Sequence, residues 1–165
     1  MTTLERCIDF LNRSRVRYAH TRHPIAYTAR EVAAAEALSP RKLAKTVVYL
    51  DDHGYGLAVV PADRLVNLDV LQDLLRDSRL RLATEREIAD LFPECELGAM
   101  PPFGKLFDMP VFVDAELAAQ EFIAFNAGTH RDVIHMSFGD FRRLVEPAIA
   151  SFSFDWNQAL ALASV

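Results

Sequence analysis

Three short stretches hold the residues best equipped for chemistry. Lys45 opens the run KTVVYL directly after the basic RKLAK. A lysine at the mouth of an otherwise apolar strand can project its ammonium into a cleft from a rigid element, to clamp a phosphate or polarise an ester carbonyl. The competing reading is a solvated strand-end lysine. His130 stands in FNAGTHRD, a glycine-containing turn between two strand candidates. There an imidazole can bind a substrate or move a proton near neutral pH, or can simply occupy a loop. GAMPPFG, residues 98 to 104, sets a Pro-Pro pair between two glycines. Proline locks φ and removes an amide donor, while glycine permits backbone angles and close approaches that side chains forbid. The stretch reads as a stiff bracket presenting Gly98, Ala99, Met100, Pro102 and Gly104 to a ligand, or else as a rigid turn between strands. If its amides converge they can bind a developing oxyanion, and one such donor is worth roughly two to three orders of magnitude in rate.

Other reactive side chains point to less. Cys95 lies between Glu94 and Glu96, whose charges raise a thiol pKa, and this argues against a nucleophile paired with His130. His20, His23, His53 and His135 have no metal-ligand spacing, and Cys7 and Cys95 form no CxxC pair, so no metal and no cofactor is expected. No Walker loop, GxGxxG or GxSxG occurs, which removes the usual sequence support for nucleotide hydrolysis, dinucleotide binding and serine-hydrolase chemistry.

The elements that must carry these residues are legible. TTLE, TARE and TERE each place Thr three residues before Glu (Thr2–Glu5, Thr28–Glu31, Thr84–Glu87), the capping-box spacing that opens a helix. LDVLQDLLRD predicts a helix with Val70, Leu71, Leu74 and Leu75 on one face, and SFGDFRRLV a last short one. VRYAH, KTVVYLD, YGLAVVP, LRLAT, PVFVD, EFIAFNAG and DVIHMSF are strand candidates, with DDHGYG as a hairpin turn. Strands with and without intervening helices predict an α+β fold on a mixed sheet. The apolar tail, residues 147–165, can pack on the body, form a partner contact that leaves a homodimer open, or fray.

At 165 residues and 51% hydrophobic, the chain is expected to form a single domain over residues 1–165 with an adequate core. No apolar run is long enough to span a membrane and no signal-peptide pattern is present, so the expected location is the cytoplasm and no membrane partner is expected. The net charge of −5 conceals a gradient. Residues 1–50 hold nine Lys and Arg against four Asp and Glu, whereas residues 51–165 hold nine against nineteen. A basic face on an acidic body suits local contact with phosphates.

Taken in order, KTVV with Lys45, GAMPPFG with Gly98 and FNAGTH with His130 resemble the YbaK/EbsC family, which includes the editing domain of prolyl-tRNA synthetase and its free-standing relatives. The likeness extends over about residues 15 to 146, including HTRHPIAYTAREVA and LAVVPAD. It implies a mixed, partly barrel-like sheet wrapped by helices and hydrolysis of the ester that joins a wrong amino acid to the tRNA 3′ adenosine, with no metal. It makes Lys45 the principal activity residue, Gly98 and Pro102 the ends of a GxxxP loop, and His130 the histidine after the second glycine turn. A mischarged tRNA is then the partner, its acceptor end met by Arg13, Arg15, Arg17, Arg41 and Lys42. Alanyl-tRNA(Pro) is the favoured substrate type, with cysteinyl, seryl or threonyl esters and a non-catalytic tRNA-end binding module as alternatives. Tyr27, Val32 and Met100 are candidates to shape the amino-acid pocket.

Overall fold

A computed structural model describes residues 1–155, 157, 158 and 160. Helix α1 (Thr3–Arg13) starts at Thr2, whose hydroxyl accepts from the Glu5 amide while the Glu5 carboxylate accepts from the Thr2 amide. Strand β1 (Tyr18–Arg22) follows, then α2 (Ala29–Ala35). Here the box is incomplete: Thr28 caps the Glu31 amide, but the Glu31 carboxylate accepts from Tyr27 instead. The long hairpin is β2 (Leu43–Asp51) and β3 (Gly54–Pro61), turned at residues 52 and 53 with Gly54 at φ +123°. Next come β4 (Arg64–Val66), α3 (Leu68–Leu75), β5 (Arg81–Leu82) and α4 (Glu85–Leu91), the last opened by a complete Thr84–Glu87 box. After the 98–104 segment the chain forms β6 (Val111–Asp114), α5 (Ala115–Ala118), β7 (Phe122–Asn126), β8 (Asp132–Ser137), α6 (Phe138–Val145), β9 (Ala148–Ala150) and β10 (Ser153–Asp155).

The main sheet has the order β1-β8-β7-β2-β3-β6-β9, with β5 also on β2, and it is mixed. The pairs β1–β8, β7–β8, β2–β3 and β2–β5 are antiparallel, whereas β2–β7, β3–β6 and β6–β9 are parallel. Alternate residues of β2 serve opposite faces, as the strand period requires. Ala44 and Val48 join the largest core, with Phe103, Phe125 and Phe141, while Leu43 packs with Val32 of α2 and Tyr49 with Leu71 of α3. On α3 only Leu71 of the expected apolar face is buried, and Leu74 is 45% exposed.

The tail does not simply fray. Its first part pairs β9 with β6 and β10 with β4, and Phe152 is buried between them. Asp114, buried at the end of β6, makes this possible: one carboxylate oxygen accepts from the Phe152 and Ser153 amides at 2.9 and 3.0 Å, and the other caps Glu116 of α5. Trp156, Ala159 and residues 161–165 lie outside the described residues. No described helix is long and apolar enough to cross a membrane.

Candidate functional site

The site begins with a break in pairing along one edge of β2. Strand β7 pairs with β2 only at Leu43 and Ala44, and β5 joins only at Tyr49 and Leu50. The Leu43 carbonyl accepts from Ala62 on the β3 side, and the Val48 carbonyl accepts from Ala83 on the β5 side. The two-residue period therefore aims the amide and carbonyl of Thr46 into the gap between β7 and β5. A cavity of about 310 Å³ fills that gap, at the small end of the roughly 300–1,000 Å³ range of ligand sites. Lys45, Thr46, Gly98, Met100, Asn126 and Tyr27 line it, among others. Thr46 Oγ1 and Asn126 Oδ1 are buried there without a hydrogen-bond partner among the described residues. Buried polar atoms are normally paired, so these two mark a place where a polar guest would be accommodated.

Two glycine segments are knitted together to form one wall. The Glu96 amide donates to the Gly128 carbonyl at 2.8 Å, and the Gly128 amide donates to the Ala99 carbonyl at 2.9 Å. Gly128, at φ +95°, passes so close to Thr3 that a Cβ would lie 2.7 Å from the Thr3 Cβ. Gly98, at φ +87°, is exposed on the cavity wall, and a Cβ there would sit 3.6 Å from His130 Cε1. His130 is nearly buried. Its amide donates to Glu96 Oε2 at 2.7 Å, its ring tilts against Tyr27 with centroids 5.2 Å apart, and Nδ1 has no partner among the described residues.

The 98–104 segment is stiff for a second reason. Ala99, Met100 and Phe103 are buried, and Phe103 stacks edge-on against Phe10 and Phe125. Pro102 is buried as well, and Gly104 lies where a Cβ would collide with the Met109 carbonyl and Val111. Ala99, Pro102 and Gly104 thus stand behind the wall, while Gly98 and Met100 form it. The Ala99 amide is committed to the Glu96 carbonyl, whereas the Gly98 and Met100 amides make no hydrogen bond among the described residues.

Lys45 is half-buried, and its ammonium donates to the Arg64 carbonyl at 2.9 Å. That bond uses one of its three donors and fixes the position of the charge. Burial, assisted by the charge of Arg30, holds the Lys45 pKa below the ordinary lysine value, with Asp63 opposing the shift. Cys95 does not line this cavity. Burial and Glu96 push its thiol up to about 12, so it stays protonated at neutral pH.

The basic residues expected at the acceptor stem separate into groups. Arg41 is tied to Asp63 at 3.1 Å and Glu116 at 3.2 Å, and Arg13 to Asp9 at 3.0 Å. Arg15, Arg17 and Lys42 are exposed. Val32 is buried against α2's own core and does not line the cavity, whereas Tyr27 does. His20 binds Asp132 at 2.7 Å, and His135 contacts the Thr21 hydroxyl at 3.0 Å. Arg64, whose carbonyl accepts from the Lys45 ammonium, and Arg30, whose charge acts on it, belong to no motif recognisable from residue type and spacing. Arg30 lies inside the matched segment HTRHPIAYTAREVA, and Arg64 directly follows LAVVPAD.

Comparison with known proteins places this geometry in context. A segment of proline–tRNA ligase from Fervidobacterium nodosum is 36% identical over 81 residues, 49% of this chain and 14% of the ligase. The ligase from Dehalococcoides mccartyi is 30% identical over 116 residues, 70% of this chain and 20% of the ligase. The chain therefore spans a fifth or less of the length of these two curated relatives. Among solved structures, one described as a candidate trans-editing enzyme for prolyl-tRNA synthetase superposes with a TM-score of 0.80 at 21% identity, covering 92% of this chain and 97% of its own. A hypothetical protein superposes at 0.81 with 20% identity, covering 90% and 99%. At that identity the likeness shows the fold, a mixed sheet with helices. The model of the aminoacyl-tRNA editing domain matches residues 23–144, which takes in β2, the 98–104 wall and the His130 turn, and the chain belongs to that family.

Proposed function

We propose that this protein is a deacylase acting in trans on mischarged tRNA, with alanyl-tRNA(Pro) as its substrate. The observation that carries the reading is the shared cavity: Lys45 and Gly98, far apart in sequence, wall the same gap beside an unpaired stretch of β2. An aminoacyl ester is already activated, so placement and charge stabilisation suffice. Water attacks the ester carbonyl carbon, forming the new C–O bond, and the carbonyl oxygen becomes an oxyanion. The free amides of Gly98 and Met100 and the Lys45 ammonium are the donors available to it. The bond to the ribose oxygen then breaks, the proton lost by the attacking water passes to that oxygen, and a free amino acid and an intact tRNA leave.

The cavity's small size supports a small side chain, because one methylene changes binding by only about 1–3 kcal/mol and exclusion of the larger, correct amino acid must come from the walls. Tyr27 and Met100 line the cavity and are the walls available for this, with His130 outside the lining and against the Tyr27 ring. Incubation with a panel of labelled aminoacyl-tRNAs tests the reading. Alanyl-tRNA(Pro) should lose its label fastest, cysteinyl- and seryl-tRNA more slowly, and Lys45→Ala should abolish turnover. Ester levels that stay unchanged across the panel, with tRNA bound tightly, would point instead to a binding module.

A further inference from the structure

A second cavity lies on the far side of Lys45. It encloses about 420 Å³ and is lined by Arg30, Ala62, Asp63, Arg64 and Leu65. Because the Lys45 ammonium is bonded to the Arg64 carbonyl, this lysine reaches from the wall of the first cavity to the wall of the second.

The charges in the second cavity are unbalanced. The Arg64 guanidinium is held by Ser153, Nε donating to Oγ at 2.7 Å and Nη2 to the carbonyl at 3.1 Å. Both acceptors are neutral, so its charge is positioned but not cancelled. Arg30 is exposed on α2 and has no carboxylate within ion-pair distance among the described residues. It is near enough to Lys45 to help depress the lysine's pKa. Asp63 is the carboxylate that lines the cavity, and Arg41 already occupies its Oδ2 at 3.1 Å, while Asp155, opposite Arg64 on β10, forms no ion pair with it among the described residues. Its other oxygen, Oδ1, is buried without a partner among the described residues. The cavity thus offers two unmatched guanidinium groups for an anion and one orphaned acceptor for a hydroxyl. A phosphodiester with a ribose supplies both, whereas a bare anion supplies only the first.

We propose that this cavity is a nucleotide-backbone subsite. In it, Arg30 and Arg64 grip the phosphodiester next to the terminal adenosine and Asp63 Oδ1 accepts a ribose hydroxyl, while the ester enters the Lys45 cavity. The inference rests on the deacylase reading and adds the part of the substrate that lies outside the chemistry. It also gives the tail a purpose, since Ser153 of β10 fixes the Arg64 side chain across the β4–β10 pair.

The test compares two substrates, alanyl-tRNA(Pro) and 3′-alanyl-adenosine, which has no phosphate. Arg30→Gln and Arg64→Gln should each lower the ratio of kcat/KM for the tRNA to that for the adenosine ester by about tenfold, as expected for one lost charge-assisted contact. Each should also flatten the salt dependence of the tRNA reaction by about one unit of logarithmic slope. Ser153→Ala keeps the charge but frees the side chain, so it should lower the ratio less than Arg64→Gln does. A role confined to folding would depress both substrates together, leave the ratio at its wild-type value and overturn the subsite. If the wild-type protein hydrolyses no aminoacyl-tRNA, the deacylase reading fails alone. The subsite is then judged by Kd for an amide-linked alanyl-tRNA against 3′-alanylamido-adenosine. The same tenfold fall in relative affinity supports it, and equal affinities in wild type and variants refute it.

Discussion

Replacing Gly98 with alanine separates backbone strain from crowding. Gly98 has φ +87°, where an L residue is strained by about 1–3 kcal/mol. The nearest neighbour of the added Cβ, His130 Cε1 at 3.6 Å, is at ordinary contact distance, so crowding adds little. Alanine also restricts the unfolded chain, which returns about 0.4–1 kcal/mol. The net destabilisation of Gly98→Ala should then be near 1 kcal/mol, a fall in Tm of about 2–4 °C for a domain of this size. Urea denaturation should show a lower midpoint with an unchanged slope. Because the strain is in the backbone, adding His130→Ala should not restore stability, whereas Gly98→Asn should be milder than Gly98→Ala, asparagine tolerating positive φ better. Activity should fall further than stability, since rotation of the Gly98 amide would remove one of the proposed oxyanion donors, a contact worth roughly two orders of magnitude. A Gly98→Ala protein as stable as wild type, or one rescued by His130→Ala, would refute this reasoning.

Asp114→Ala should destabilise the fold by about 2–4 kcal/mol in the same assay, because it orphans the Phe152 and Ser153 amides together and uncaps α5. With Lys45 depressed by burial and by Arg30, deacylation that needs the ammonium should decline with rising pH before an ordinary lysine would titrate, and Arg30→Gln should move that alkaline limb upward. The same shift has a stability sign: between the lowered native pKa and the ordinary value the unfolded chain binds more protons, so Lys45 contributes increasing stability as pH rises through that window. Cys95→Ser should leave the turnover of alanyl-tRNA unaltered, as its high thiol pKa and its place outside the cavity require.

Features set by neighbours in sequence were the ones legible beforehand. Thr2 and Thr84 announce their helices because the cap and its reciprocal carboxylate lie three residues apart. Thr28 shows the limit of that signal, since Glu31 turns to Tyr27 once the chain enters α2 from β1. The β2–β3 hairpin follows from DDHGYG. Strands β4, β9 and β10 have no local signature, because each is three residues long and depends on partners far away, β10 on the remote carboxylate of Asp114. The same holds at the site. Lys45, Gly98 and His130 were visible as types in suggestive settings, but the cavity arises from where β7 leaves β2 and β5 joins it, which no local pattern encodes. Arg41 looked available for tRNA because Asp63 and Glu116, 22 and 75 residues away, could not be seen to claim it. Arg64 carries no local signal, because Ser153, which holds its side chain, lies 89 residues on.

The most direct test is a crystal structure with 3′-alanylamido-adenosine, the non-hydrolysable mimic of the charged end. The alanyl group should lie in the gap between β5 and β7, its carbonyl oxygen within hydrogen-bonding distance of the Gly98 or Met100 amide and facing the Lys45 ammonium. A mimic bound at any other place, with that gap closed to it, would contradict the account.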